Sequence, residues 1–136
     1  LLTGWACFPA ILIALLLQAM FFQYGGLTVL GVNTGIMALP ALLAHLFCAP
    51  LVRSPRNGVA AAGAFVAGAG AILVAGTFTA SVLALAGEAF IPAAQTVLVA
   101  HLPVAGIEGM ITVAVIGFIR KVKPEMLKLS MRSERL

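Results

Sequence analysis

Three side chains stand where chemistry can be done: Asn33 in the step GVNT, and His101 and Glu108 in HLPVAGIEGM. The Asn33 amide offers both donors and an acceptor, and it sits between Gly31 and Gly35 at the head of an apolar run. There it can satisfy the free N–H groups of a starting helix, or brace a loop that closes over a ligand. His101 supplies an imidazole, whose two ring nitrogens can each donate or accept a hydrogen bond. Glu108 lies about five residues into an apolar run, where an isolated carboxylate has to find a donor or a cation. His101 precedes it by seven residues, the same face on a continuous helix, though Pro103 lies between them. Two readings stand for the pair. They line or brace a polar cavity, or Glu108 ties neighbouring helices together through backbone groups.

The remaining polar groups carry weaker signals. Gln18, deep in an apolar run, reads as a residue that joins helices, and His45 reads as a core histidine. Cys7 and Cys48 both fall inside apolar runs, without the spacing of a metal site, and read as small apolar filler. No phosphate-binding loop, His-Glu-x-x-His motif, serine elbow or usable carboxylate pair is present. The chain is not read as an enzyme, and no organic cofactor is expected.

The elements that position these groups follow from composition. Of 136 residues, 62% are hydrophobic and 9% charged, against about 25% charged in a soluble domain. This is the composition of an all-α integral membrane protein, a multi-span helical bundle forming a single transmembrane domain over residues 1–136. Four spans are expected: about Trp5 to Phe22, Thr34 to Val52, Gly58 to Ala86 and Pro103 to Ile119. Pro103 suits a first helical turn. Between the third and fourth spans, GEAFIPAAQTVLVAHL is shorter than a span and reads as a separate re-entrant or interfacial helix.

The net charge of +4 does not point to nucleic acid, because all eight Lys and Arg lie in two places. Arg53 and Arg56 occupy the turn RSPRN, and six more lie in the tail RKVKPEMLKLSMRSERL. Both places flank apolar runs, the positive-inside pattern. The tail and the turn are therefore expected on the cytoplasmic side. The loop from Gln23 to Asn33 and the segment from Glu88 to His101 are expected to share the outer side, where Asn33 and His101 can meet. The third span carries Ala60, Ala64 and Gly68 on one stripe. Small residues at that spacing let backbones approach closely, either inside the bundle or as a docking surface for another membrane subunit.

Several pieces, in order, resemble a known family. They are Gln-Ala followed by Gly-Gly-Leu, Gly-Val-Asn-Thr with Met37 three residues on, Ala-Leu-Pro-Ala, Gly-Glu-Ala-Phe, His-x-Pro-Val-x-x-Ile-Glu-Gly, and Lys-Pro-Glu before the tail. Together they resemble the CbiM/NikM family, the substrate-binding membrane components of energy-coupling factor (ECF) importers for cobalt and nickel, with the cobalt branch closer. The resemblance is weakest between Arg53 and Ala86.

The resemblance implies a subunit of a bacterial or archaeal cytoplasmic membrane that captures Co(II), or Ni(II), and serves cobalamin biosynthesis. Its implied partners are a CbiQ-like coupling subunit, CbiO-like ATPases and a small CbiN-like membrane subunit, in a lipid bilayer. The family begins Met-His-Ile, and its amine and histidine nitrogens bind the metal. A further ligand histidine precedes the stretch matching LLTG, and about one more helix separates that stretch from the one matching WACFP. None of these is in this sequence, so the expectation is a partial chain whose metal ligands lie upstream of Leu1, with a second stretch absent near Gly4 and Trp5. No metal ligand is assigned within the chain; Asn33, then His101 and Glu108, are expected to support the site. A nickel-specific homologue, a non-transporting scaffold, a pore and, last, an intramembrane enzyme are the alternatives.

Overall fold

A backbone amide inside a bilayer has no water to bond to, so an apolar chain of this kind resolves into helices. In the computed structural model, residues 3–22 and 29–129 are described. A 3-10 turn, Gly4–Ala6, leads into α1 (Cys7–Phe22), followed by α2 (Leu30–Val52) and α3 (Asn57–Ala86). A second 3-10 turn, Glu88–Phe90, leads into α4 (Ile91–Val122), and a short α5 (Glu125–Leu129) closes the described chain. No strand occurs among the described residues. Gly4–Phe22, Leu30–Val52, Asn57–Ala86 and Glu88–Val122 are each long and apolar enough to cross a membrane. The expected all-α multi-span bundle is what forms. Residues 1–2, 23–28 and 130–136 lie outside the described residues, and with them most of the stretch from Gln23 expected to form an outer loop.

The main departure is the last span. The segment from Glu88 to His101 is not a separate re-entrant helix, because α4 runs unbroken from Ile91 through Pro103 to Val122. The proline in the opening turn is Pro92, and Pro103 is interior. Pro103 removes one donor, but its ring sits on an exposed side of the helix, and in an apolar setting continuing the helix satisfies the other backbone groups. Pro40, which is buried, and Pro50, which is exposed, also lie inside α2 without ending it. At the other end of α3 the chain does break, at Gly87, whose φ of 143° favours glycine.

The long helices lie side by side in chain order. α3 packs most extensively on α4, less on α2, and α2 less again on α1. α3 can sit between two neighbours because its contact faces are nearly devoid of bulk. Ala60, Gly63, Ala64, Ala67, Gly68, Gly76 and Ala80 are its buried residues. A β-carbon at Gly63 would lie 2.5 Å from Leu51 Cβ on α2, and one at Gly76 would lie 2.7 Å from the His101 ring on α4. One at Gly68 would meet Thr112 Oγ1 and lie 2.8 Å from the Glu108 carbonyl oxygen. On the facing helix, Gly109 leaves room for the Phe65 ring. Such close approach is how helices associate where lipid is as apolar as the side chains.

The stripe Ala60, Ala64 and Gly68 is therefore internal. Ala60 is 1% exposed and Ala64 is fully buried, so these residues are not a docking surface for another subunit. Hydroxyl groups are satisfied locally: Thr77, Thr79, Ser81, Thr96 and Thr112 each donate to the carbonyl four residues earlier, at 2.7–2.9 Å. Large apolar side chains point outward along all four spans, among them Phe21, Phe47, Leu85 and Phe118.

Candidate functional site

Asn33 does not cap α2. The helix begins four residues earlier than Thr34, with Val29 at the cap position. The Asn33 backbone N–H already donates to the Val29 carbonyl at 2.9 Å. The apolar Leu30-Gly31-Val32 run extends the helix outward, so the amide side chain is left half-exposed in its second turn. Thr34 beside it is buried and donates its hydroxyl to Leu30 at 2.7 Å.

His101 and Glu108 share one face of one continuous helix, the arrangement that Pro103 had left open. Seven residues at about 1.5 Å each set them about 10 Å apart along the axis, too far for both to hold one ion by themselves. Both belong to the seam with α3. The His101 ring packs over Gly76, and its Nδ1 lies 2.7 Å from the Val97 carbonyl. A carbonyl only accepts, so Nδ1 carries the proton of this bond, and in the neutral ring Nε2 holds the lone pair. A metal-binding histidine is oriented in the same way. The Glu108 carbonyl accepts the Thr112 hydroxyl at 2.8 Å. Its half-buried carboxyl group makes no hydrogen bond or ion pair among the described residues.

Asn33 is not brought to this seam. α3 packs on both α2 and α4, and the contact that brings Val52 of α2 to Ile116 and Arg120 of α4 lies at the other end of α2 from Asn33. Asn33 is near the start of its helix, whereas His101 is ten residues into α4. His45 is buried within α2. Among the described residues, no three His, Cys, Asp or Glu side chains come together as a metal site.

One polar centre was missed by the sequence reading. Arg120, near the end of α4, donates from one guanidinium nitrogen to the Val52 carbonyl at 2.8 Å and the Ser54 carbonyl at 2.9 Å. Its other terminal nitrogen donates to Asn57 Oδ1 at 3.2 Å. The end of α4 is thereby clasped to the turn between α2 and α3, so Arg120 and Lys121 lie at the same end of the bundle as Arg53 and Arg56. Beneath the clasp Val52, Ala64, Ile116 and Leu127 form a buried cluster. The sequence marked Arg120 only as one of several cations. Its partners are backbone carbonyls, and carbonyls have no sequence signature.

A family model for CbiM, described as "Cobalt uptake substrate-specific transmembrane region", matches residues 1–126. The chain is 42% identical over 132 residues to a "Putative metal transport protein" of Haemophilus influenzae, covering 93% of this chain and 63% of that protein. It is 39% identical over 124 residues to "Putative cobalt transport protein CbiM 2" of Methanocorpusculum labreanum, covering 85% of this chain and 53% of that one. It is also 32% identical over 145 residues to a "Fused nickel transport protein NikMN" of Rhodobacter capsulatus, covering 93% and 42% respectively. The chain thus spans between about two fifths and three fifths of the length of these curated relatives. No solved structure matches it.

Proposed function

Because this chain belongs to the CbiM family of cobalt-uptake transmembrane regions, we propose that it is the membrane-embedded body of a subunit that captures Co(II) for import. The observation that carries the reading is the family match along residues 1–126. Four helices long and apolar enough to cross a membrane are consistent with a transport role. In this reading the chain hydrolyses nothing. A coupling subunit and ATPases of the ECF type, with a small accessory membrane subunit, supply the power stroke, and the imported cobalt feeds cobalamin synthesis. The primary nitrogen ligands lie outside the described helices. Asn33, His101 and Glu108 act as supports, with Asn33 on a different helix from the other two.

The protein resides in the cytoplasmic membrane with its basic end inward, by the positive-inside bias of Arg53, Arg56 and the tail. A nickel-specific role is the second reading, favoured by the relative named for nickel transport. The experiment is uptake of radiolabelled cobalt by cells carrying the complete transporter, with excess unlabelled nickel or cobalt as competitor. Cobalt should accumulate and be displaced best by cobalt. Preferential displacement by nickel would assign the nickel role, and uptake indifferent to the presence of this chain would remove both.

A further inference from the structure

We propose that the cleft between the first turns of α3 and the last turns of α4 binds one anionic glycerophospholipid. The cleft encloses about 400 Å³, within the usual size of a ligand site. Its wall is apolar, formed by Ala61, Val113, Ile116 and Gly117, and its rim is Asn57, Arg120 and Lys121. Among the described residues, no acidic side chain lines it.

Among the described residues, no acidic group pairs with the charge on that rim. Arg120 is hydrogen-bonded to two carbonyls and one amide oxygen, all neutral. Lys121 is exposed and makes no hydrogen bond or ion pair among the described residues. Two adjacent cations, one with neutral partners and one exposed, attract a phosphodiester, and a basic pocket between spans is where anionic head groups are held.

Depth selects a lipid over a free anion. α4 has 32 residues, about 48 Å of helix at 1.5 Å per residue, longer than the ~30 Å hydrocarbon core. Its last turn therefore stands at head-group level. Val113 lies seven residues nearer the middle than Arg120, about 10 Å deeper. The cleft thus runs from a cationic mouth into an apolar wall. A phosphate with an acyl chain attached matches both parts, whereas inorganic phosphate matches only the mouth.

The test is native mass spectrometry of the full-length protein, incubated with dioleoylphosphatidylglycerol or dioleoylphosphatidylcholine. One phosphatidylglycerol per protein should be retained in preference to phosphatidylcholine. Lys121→Gln should weaken that retention about fivefold, the worth of one interfacial cation. Gly117→Leu should abolish the preference by filling the cleft. Open space surrounds the position of a β-carbon there, so the added side chain displaces no helix. Equal retention of the two lipids, an unaltered preference in either variant, or displacement of phosphatidylglycerol by inorganic phosphate at equal concentration would overturn the proposal.

Discussion

α1 and α3 are equally suited to lipid by composition, yet they do opposite things. α1 carries large apolar side chains on every side and buries only Leu15. α3 carries alanine and glycine along its length and buries seven residues between two neighbours. The difference teaches that in a membrane the bulk of a side chain, more than its hydropathy, decides which helix is central. Lipid solvates leucine as well as another helix does, so apolar side chains gain little by turning inward. What holds helices together is close backbone approach, and only small residues permit it.

This contrast can be broken in three places, which differ in the expected effect on unfolding in detergent micelles. Gly76→Leu would drive a side chain into the His101 ring and force α3 from α4. A loss of about 2–3 kcal/mol is expected, in the range for overpacked interiors, and a neutral result would mean that the seam is not tightly closed. Arg120→Ala should cost about 1–2 kcal/mol. Three hydrogen bonds from a cation are lost and two carbonyls lose a donor, with the effect reduced because the site is partly exposed. Arg120→Lys should recover only part of this loss, since an ammonium group lacks the guanidinium fork. The smallest effect belongs to Ile13→Ala on α1. Ile13 is 56% exposed, and its replacement should shift stability by less than about 0.5 kcal/mol. A loss there comparable with that at Gly76 would dissolve the distinction between the two helices.

The same contrast explains what could be read in advance. The spans were legible because their ends are marked by Arg53, Arg56, Gly87 and the basic run from Arg120. The close approach of α3 was legible in its small residues, although the sequence left open whether the partner was internal. α4 was misread at Pro103. A proline after a polar segment has the signature of a helix start, and nothing in the sequence says that its ring will face outward and leave the helix intact. Asn33 was misread for a related reason: an asparagine between glycines suggests a cap, but Leu30 and Val32 carry the helix past it. The clasp at Arg120 was not legible at all. It depends on where the α2–α3 turn presents its carbonyls, which only the packing of three helices determines.

The candidate site divides in the same way. The spacing of His101 and Glu108 put them on one face only for a helix continuous through Pro103, and α4 is continuous there. His101 lies against Gly76 of α3, and Asn33 lies on α2, which packs on α3 from another side.

The most direct test of the capture role is equilibrium binding of Co(II) to the full-length protein, purified without coupling subunit or ATPases. A capture subunit should bind one cobalt ion per protein on its own, with affinity that falls as pH drops and nitrogen ligands become protonated. Binding that requires the coupling and ATPase subunits, or no binding at all, would contradict the assignment of metal capture to this protein.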